Sequence, residues 1–205
     1  CEQSLKFLQV DEIDLYLIHN PFAKDNRLEL WEAMVELKKQ GKVKHIGVSN
    51  YNVNHIQEIE KAGIEMPAAN QIEIHPWHVV PQLLADYMDD HEILPIAYST
   101  LAPIPNWREG SRWNGKPEDM KSGAMPCEDI ANKYTVTVPQ LFLKWAIQLG
   151  YPVLPKSVKY NRLKENISLN HFEISLDDMT SISNIAIDNQ KCLAWSGDFD
   201  PLEVD

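Results

Sequence analysis

IDLYLIH (Ile13–His19), the amphipathic run from Leu28 to Gln40, and VKHIGVS (Val43–Ser49) decide how this chain folds. The first and third are short, apolar and rich in branched side chains, and Pro21 closes the first, so both read as buried strands. Between them, Leu28, Trp31 and Val35, with Leu30, Met34 and Leu37, recur at helical spacing and cover about half a circumference. Gly41 stops that helix. The result is a strand, a helix and a second strand in about forty residues, the signature of parallel pairing through a helical crossover.

The same unit repeats along the chain. A helix is expected over Val53–Lys61, ended by Gly63, and a strand over Ala69–His75. Pro81 opens a helix over Gln82–Asp90, and Ile93–Ser99 is the fourth strand. Residues 100–126 are expected to be a loop rich in Pro, Trp, Gly and Asn, longer than an ordinary connection, which marks it as functional or mobile. Helices follow over Cys127–Tyr134 and Pro139–Leu149, the second announced by the capping-box pattern Thr137-x-x-Gln140. Pro152–Ser157 is expected as a fifth strand and Asn161–Leu169 as its helix. Ser175-x-x-Asp178 opens one more helix before an irregular tail over 188–205.

Such alternation means a parallel sheet with helices outside it, and both an open doubly wound sheet and a (β/α)8 TIM barrel satisfy it. The open sheet would usually carry a glycine-rich turn after its first strand. Here that turn is His19-Asn20-Pro21-Phe22, without glycine, so the barrel is the better reading. About five βα units are visible where a barrel needs eight, and 205 residues fall short of the roughly 250 typical of that fold. Five strands leave two unpaired edges. Cys1–Leu8 also reads as the middle of an amphipathic helix without a cap. The expectation is one barrel domain over 1–205, lacking its front strands.

Composition narrows the function. Apolar residues make up 44% and charged residues 24%, the balance of a packed globular domain. No apolar run is long enough for a transmembrane helix, and the start Cys-Glu-Gln-Ser shows no secretory leader. Thirty acidic against nineteen basic side chains leave a net charge of -11, which repels a nucleic-acid backbone. Neither a membrane nor a nucleic acid is therefore expected as a partner. Cys1, Cys127 and Cys192 are odd in number and without paired spacing, which fits a reducing cytoplasm. His78, His91 and His171 show no ligand spacing either, so no metal site is read.

Reactive groups in barrels gather at the carboxyl ends of strands. Those positions hold His19, then Ser49 and Asn50, then Gln71 within the third strand, Tyr98 and Ser99 after the fourth, and Lys156 and Ser157 after the fifth. An imidazole, amides, an aromatic ring and a lysine facing one mouth suit a polar, partly aromatic ligand. Trp77, Trp107, Trp113 and Trp195 fall in loops that would overhang it and could line a substrate pocket.

The segments DLYLIHNP, GVSNY, NQIEIHPW, AYSTL and LPKSVKYNRLKENI stand in this order over Cys1 to about Asp178. Together they resemble the aldo-keto reductase family, (β/α)8 oxidoreductases that use NADPH. The pattern PKS-x-x-x-x-R-x-x-EN is specific, and GVSN with NQ-x-E-x-HP makes chance agreement remote. The resemblance implies that His19 donates a hydrogen bond to the substrate carbonyl. It implies that Ser49, Asn50 and Gln71 hold the nicotinamide carboxamide, and that Tyr98 stacks on the nicotinamide ring. Ser99 and Leu101 match the start of a loop over the pyrophosphate, although Ala102-Pro103 replaces its usual small continuation. Lys156, Ser157 and Arg162 match the pocket for the 2′-phosphate of NADPH, and Glu165 and Asn166 the contacts to adenosine. Asn20 stands where a bulky aromatic is common and makes that wall of the substrate pocket more polar.

The family's catalytic tetrad is Asp, Tyr, Lys and His, with the tyrosine as general acid. Only the histidine has a counterpart here, because the other three belong to segments before position 1. The resemblance therefore implies a parent protein that reduces aldehydes or ketones with NADPH or oxidises the alcohol with NADP, its substrate a small carbonyl compound. The 205-residue chain by itself is expected to be inactive, completed by the missing front segment or a second chain. The competing expectation is a non-catalytic relative that binds NADPH, or a regulatory or structural barrel.

Overall fold

A computed structural model describes residues 1–104, 127–195 and 199–204 of the chain. Four strands, β1 (Ile13–Ile18), β2 (Val43–Ser49), β3 (Ala69–Glu73) and β4 (Leu94–Tyr98), stand in chain order in one sheet. The β1–β2 and β2–β3 pairs are parallel. The chain divides into two compact units, residues 1–72, 81–95 and 201–205 in the first, 73–80 and 96–200 in the second.

In the first unit, α1 (Glu2–Leu8), α2 (Arg27–Lys39), α3 (Val53–Lys61) and α4 (Gln82–Asp90) alternate with the strands as the sequence predicts. The register runs from Ile13↔Val43 to Ile18↔Val48, then Val48↔Asn70 and Ser49↔Gln71. Trp31, Ile46, Val48, Ile56 and Met88 close the core. Gly47 is a packing requirement. A β-carbon there would lie 2.6 Å from the Ala69 carbonyl oxygen and 2.7 Å from Leu17 Cδ2, so any side chain would push the strands apart. Helix α3 has a capping box that the sequence reading missed, with His55 in the place usually held by Glu or Gln. Asn52 Oδ1 accepts from His55 N, and His55 Nδ1 accepts from Asn52 N. The Asn52 amide also donates to the carbonyls of Leu202 and Val204, which ties the last described residues to this unit. By contrast, α1 buries nothing, and Phe7 and Leu8 are exposed.

The second unit contains α5 (Glu128–Lys133), α6 (Val138–Gln148), α7 (Tyr160–Ile167), α8 (Leu176–Ser183) and α9 (Ile185–Asn189). Leu141, Phe142, Leu143, Trp145 and Ala146 are wholly buried, which makes α6 the centre of this core. The Thr137–Gln140 capping box forms as expected. So does the Ser175 cap on Asp178.

The fifth strand requires correction. Residues 152–157 form only an isolated parallel bridge, Val153 to Ala97. Ala97 N donates to Pro152 O at 2.8 Å, and Leu154 N donates to Ala97 O at 3.2 Å. Pro152 and Pro155 have no N–H to continue a ladder, so among the described residues the pairing stops at these two proline-flanked bonds. The 188–205 tail is also less irregular than expected. Helix α9 runs to Asn189, and Pro201–Glu203 form a 3₁₀ turn. Trp107 and Trp113, with most of the 100–126 loop, lie outside the described residues. Among those described, no helix is long and apolar enough to cross a membrane.

Candidate active site

Parallel strands ending side by side present backbone groups that must be satisfied, and in the first unit the sequence does so with its own polar side chains. β1 ends at Ile18 and leaves His19 exposed on the following residue. The Asn50 amide donates to the His19 carbonyl and to Ser49 Oγ, both at 3.0 Å. Ser49 Oγ donates onward to the Gln71 carbonyl at 2.7 Å, and Asn50 N donates to the same oxygen at 3.0 Å. Asn50 can reach both neighbours because its backbone is left-handed, φ 63°. Asn is among the few residues that tolerate that conformation. Ser49 and Asn50 are buried, whereas Gln71 is half-buried, with no hydrogen bond to its carboxamide among the described residues. Four residues predicted from motif order thus form one connected group. The Asn50 and Ser49 side-chain donors bond to protein, at His19 O, Ser49 Oγ and Gln71 O.

Asn20 turns inward on the chain, its Oδ1 accepting from Phe22 N at 3.2 Å. Asn70, one residue before Gln71, exchanges hydrogen bonds with the Tyr51 backbone, at 2.8 Å through its amide and 3.3 Å through its oxygen. Tyr51 Oη is buried without a hydrogen-bond partner among the described residues, and burial pushes the phenol up to about 12.

In the second unit, Tyr98 ends β4, and Trp195 Nε1 donates to its hydroxyl at 2.8 Å. Burial raises the Tyr98 pKa far above that of a free phenol, so the hydroxyl stays protonated at all working pH. Ser99 follows in the left-handed region, φ 56°, and turns the chain into the buried run Thr100–Ile104. Leu101 belongs to that run. Thr100 Oγ1 is buried without a hydrogen-bond partner among the described residues.

Lys156 and Arg162 are exposed, and among the described residues neither has an acidic partner. Ser157 Oγ accepts from Lys159 N at 3.1 Å and shapes the turn into α7. Glu165 and Asn166 are placed differently. Asn166 is buried, and the Glu165 carboxylate accepts from Thr137 Oγ1 at the start of α6. Trp77 packs into the second unit. It is 3% exposed and meets Phe142 edge-on with ring centroids 6.2 Å apart. Two surface hollows lie elsewhere, one lined by Arg27 and Glu58 and one by Gln148 and Met179.

Sequence reading missed the most densely bonded group of the second unit, the Glu73 carboxylate. One oxygen pairs with His75 Nε2 at 2.8 Å and accepts from Leu193 N and Ala194 N, at 2.6 and 2.8 Å. The other accepts from Cys192 Sγ at 3.0 Å and from Ala194 N at 2.8 Å. His75 Nδ1 accepts from Trp77 N, so the ring proton sits on Nε2 and points at Glu73. Burial alone would raise the Glu73 pKa, but these donors outweigh it and hold the carboxyl below its usual range. The available signal was an acidic residue set between two isoleucines, Ile72 and Ile74. Glu73→Ala is expected to cost at least about 3 kcal/mol in urea unfolding, because several buried donors lose their acceptor at about 1–3 kcal/mol each. Glu73→Gln does not repair it, since an amide turns N–H groups toward N–H groups.

The aldo/keto reductase family profile matches residues 1–187. The chain belongs to the aldo-keto reductase family. It is 36% identical over 189 residues to the glyoxal reductase of Bacillus subtilis, covering 92% of this chain and 62% of that protein. It is 36% identical over 184 residues to the methylglyoxal reductase DkgA of Escherichia coli, covering 89% and 62%. The chain therefore spans under two thirds of the length of these reductases. The Bombyx mori aldo-keto reductase crystallised with NADP superposes with a TM-score of 0.75 at 30% identity, over 90% of this chain and 61% of that one. This aldo-keto reductase chain is thus an α/β parallel assembly corresponding to part of the family's (β/α)8 barrel.

Proposed function

We propose that the protein carrying this chain reduces small aldehydes and 2-oxoaldehydes of the glyoxal type to alcohols, with NADPH as reductant. The observation that carries this reading is the linked group His19, Asn50, Ser49 and Gln71. It holds an exposed imidazole at the end of one strand and, on another, a carboxamide without a hydrogen bond among the described residues. The names of the two bacterial reductases support the substrate class.

The residues present fit a phosphorylated dinucleotide. Lys156 and Arg162 are cations without acidic partners among the described residues, in a chain of net charge -11, as a 2′-phosphate requires. Gln71 offers both a donor and an acceptor to a nicotinamide carboxamide, while Ser49 and Asn50 fix the strand end that carries it. The Tyr98 ring supplies a flat apolar face, held by the bond from Trp195. When bound, NADPH supplies the hydride that reduces the carbonyl carbon. His19 donates a hydrogen bond to the carbonyl oxygen, where negative charge builds as the carbon is reduced, and thereby lowers the barrier. The proton that completes the alcohol comes from a general acid outside these 205 residues, since no tyrosine here lies in the family's general-acid motif. A reducing cytoplasm, which keeps NADPH and the three free cysteines reduced, is the compartment this reading requires.

The test is turnover of glyoxal and methylglyoxal by the intact protein. NADPH is expected to be consumed one for one with alcohol formed, and NADH far more slowly. Failure to consume NADPH with any aldehyde would overturn the assignment.

A further inference from the structure

His78, Cys192 and Asp200 lie far apart along the chain, yet the second unit gathers Nε2 or Nδ1, Sγ and a carboxylate oxygen within 4.8 Å of one another. His78 and Cys192 are buried, and the Asp200 side chain is 14% exposed. We propose that these three side chains form a binding site for a single zinc ion, which clasps Cys192 and Asp200 onto the segment from Glu73 to Val80.

The imidazole is already set as a ligand. His78 Nδ1 lies 2.8 Å from the Glu73 carbonyl oxygen, which can only accept, so Nδ1 carries a proton and Nε2 is the coordinating nitrogen. Metal-bound histidines are oriented in this way, by a carbonyl or carboxylate on the second ring nitrogen. Nε2 in turn lies 2.8 Å from Asp200 Oδ2, and a proton must sit between these two acceptors. A cation can occupy the same place. In a tetrahedral zinc site the ligand atoms stand roughly 3.3–3.6 Å apart, given bond lengths of about 2.0–2.3 Å. The present spacing reaches that with small side-chain movements.

The charges balance. Binding releases the Cys192 thiol proton and the proton shared by His78 and Asp200, and one dication replaces both. A thiolate, a carboxylate and a neutral imidazole then leave the site uncharged, with water as the fourth ligand. Loss of the thiol proton does not strand Glu73. The oxygen that Cys192 leaves still accepts from Ala194 N, and the other keeps His75, Leu193 and Ala194. The set of one sulfur, one nitrogen and one oxygen favours a borderline ion such as zinc over magnesium or calcium. Trp195, three residues from Cys192, holds the Tyr98 hydroxyl, so the clasp would order the tryptophan beside the proposed nicotinamide platform.

The test uses tag-free, chelator-treated protein in which Cys1 and Cys127 are replaced by serine, so that Cys192 is the only thiol of these 205 residues. Cobalt(II), as a spectroscopic stand-in for zinc, is expected to bind one per chain with a thiolate-to-cobalt charge-transfer band in the near ultraviolet. Zinc is expected to displace it and to raise the thermal unfolding midpoint. Cys192→Ala should abolish the band, and Asp200→Asn, at a partly exposed position, should weaken binding with the circular dichroism unchanged. Absence of the band in the parent protein, its persistence in Cys192→Ala, or binding indifferent to Asp200→Asn would each overturn the proposal. The readout is independent of NADPH turnover, so it stands or falls apart from the reductase assignment.

Discussion

Replacing Lys156 by Met together with Arg162 by Leu is expected to weaken NADPH binding by roughly a hundredfold while leaving NADH affinity unchanged. A hydrogen bond to a charged group contributes about 1.5–3 kcal/mol, and two at the lower end amount to about two decades of affinity. The lower end applies because both side chains are exposed, where solvent screens charge. Neither residue has an acidic partner to strand among the described residues, so their removal should not unfold α7. NADH lacks the 2′-phosphate and serves as the internal control. Fluorescence titration with both cofactors reads the difference directly, and equal losses would remove these residues from the phosphate pocket.

His19→Ala in the intact protein is expected to lower kcat by roughly a hundred- to a thousandfold, the cost of removing one donor to a developing oxyanion. NADPH affinity should not change. Asn50 holds the backbone carbonyl of residue 19, and an alanine keeps that carbonyl. The strand end and the Ser49–Gln71 link therefore survive the substitution, and the lost rate reports on the imidazole alone. Single-turnover rates with saturating methylglyoxal separate chemistry from binding. An unchanged rate would take His19 out of the active site.

How much of this was legible beforehand depended on whether the determinant was local. Apolar runs bounded by Pro and Gly located β2, α3 and α4 to the residue, because period and stop signals lie within each segment. Thr137 and Gln140 announced α6 for the same reason. Residues 152–157 misled because their branched and apolar composition favours a strand, while two prolines withhold the donors a ladder needs. The His19, Ser49, Asn50 and Gln71 group was visible as strand-end polarity. Which donors face inward was not, since that follows from the left-handed turn at Asn50. Trp77 read as a loop tryptophan because nothing in its neighbourhood shows Phe142, sixty-five positions away. The Glu73 and His78 clusters were least accessible. Their partners, Cys192 to Ala194 and Asp200, come from the far end of the chain, and spacing along the sequence carries no trace of such a meeting.

Deuterium transfer probes the proposed chemistry most directly. NADPH carrying deuterium at the transferable C4 position is incubated with methylglyoxal and the intact protein, and the alcohol is analysed by mass spectrometry. One deuterium on the newly formed carbinol carbon, at one per NADPH consumed, is the expected result. An alcohol without deuterium, or no alcohol while NADPH binds, would contradict direct hydride transfer to the carbonyl.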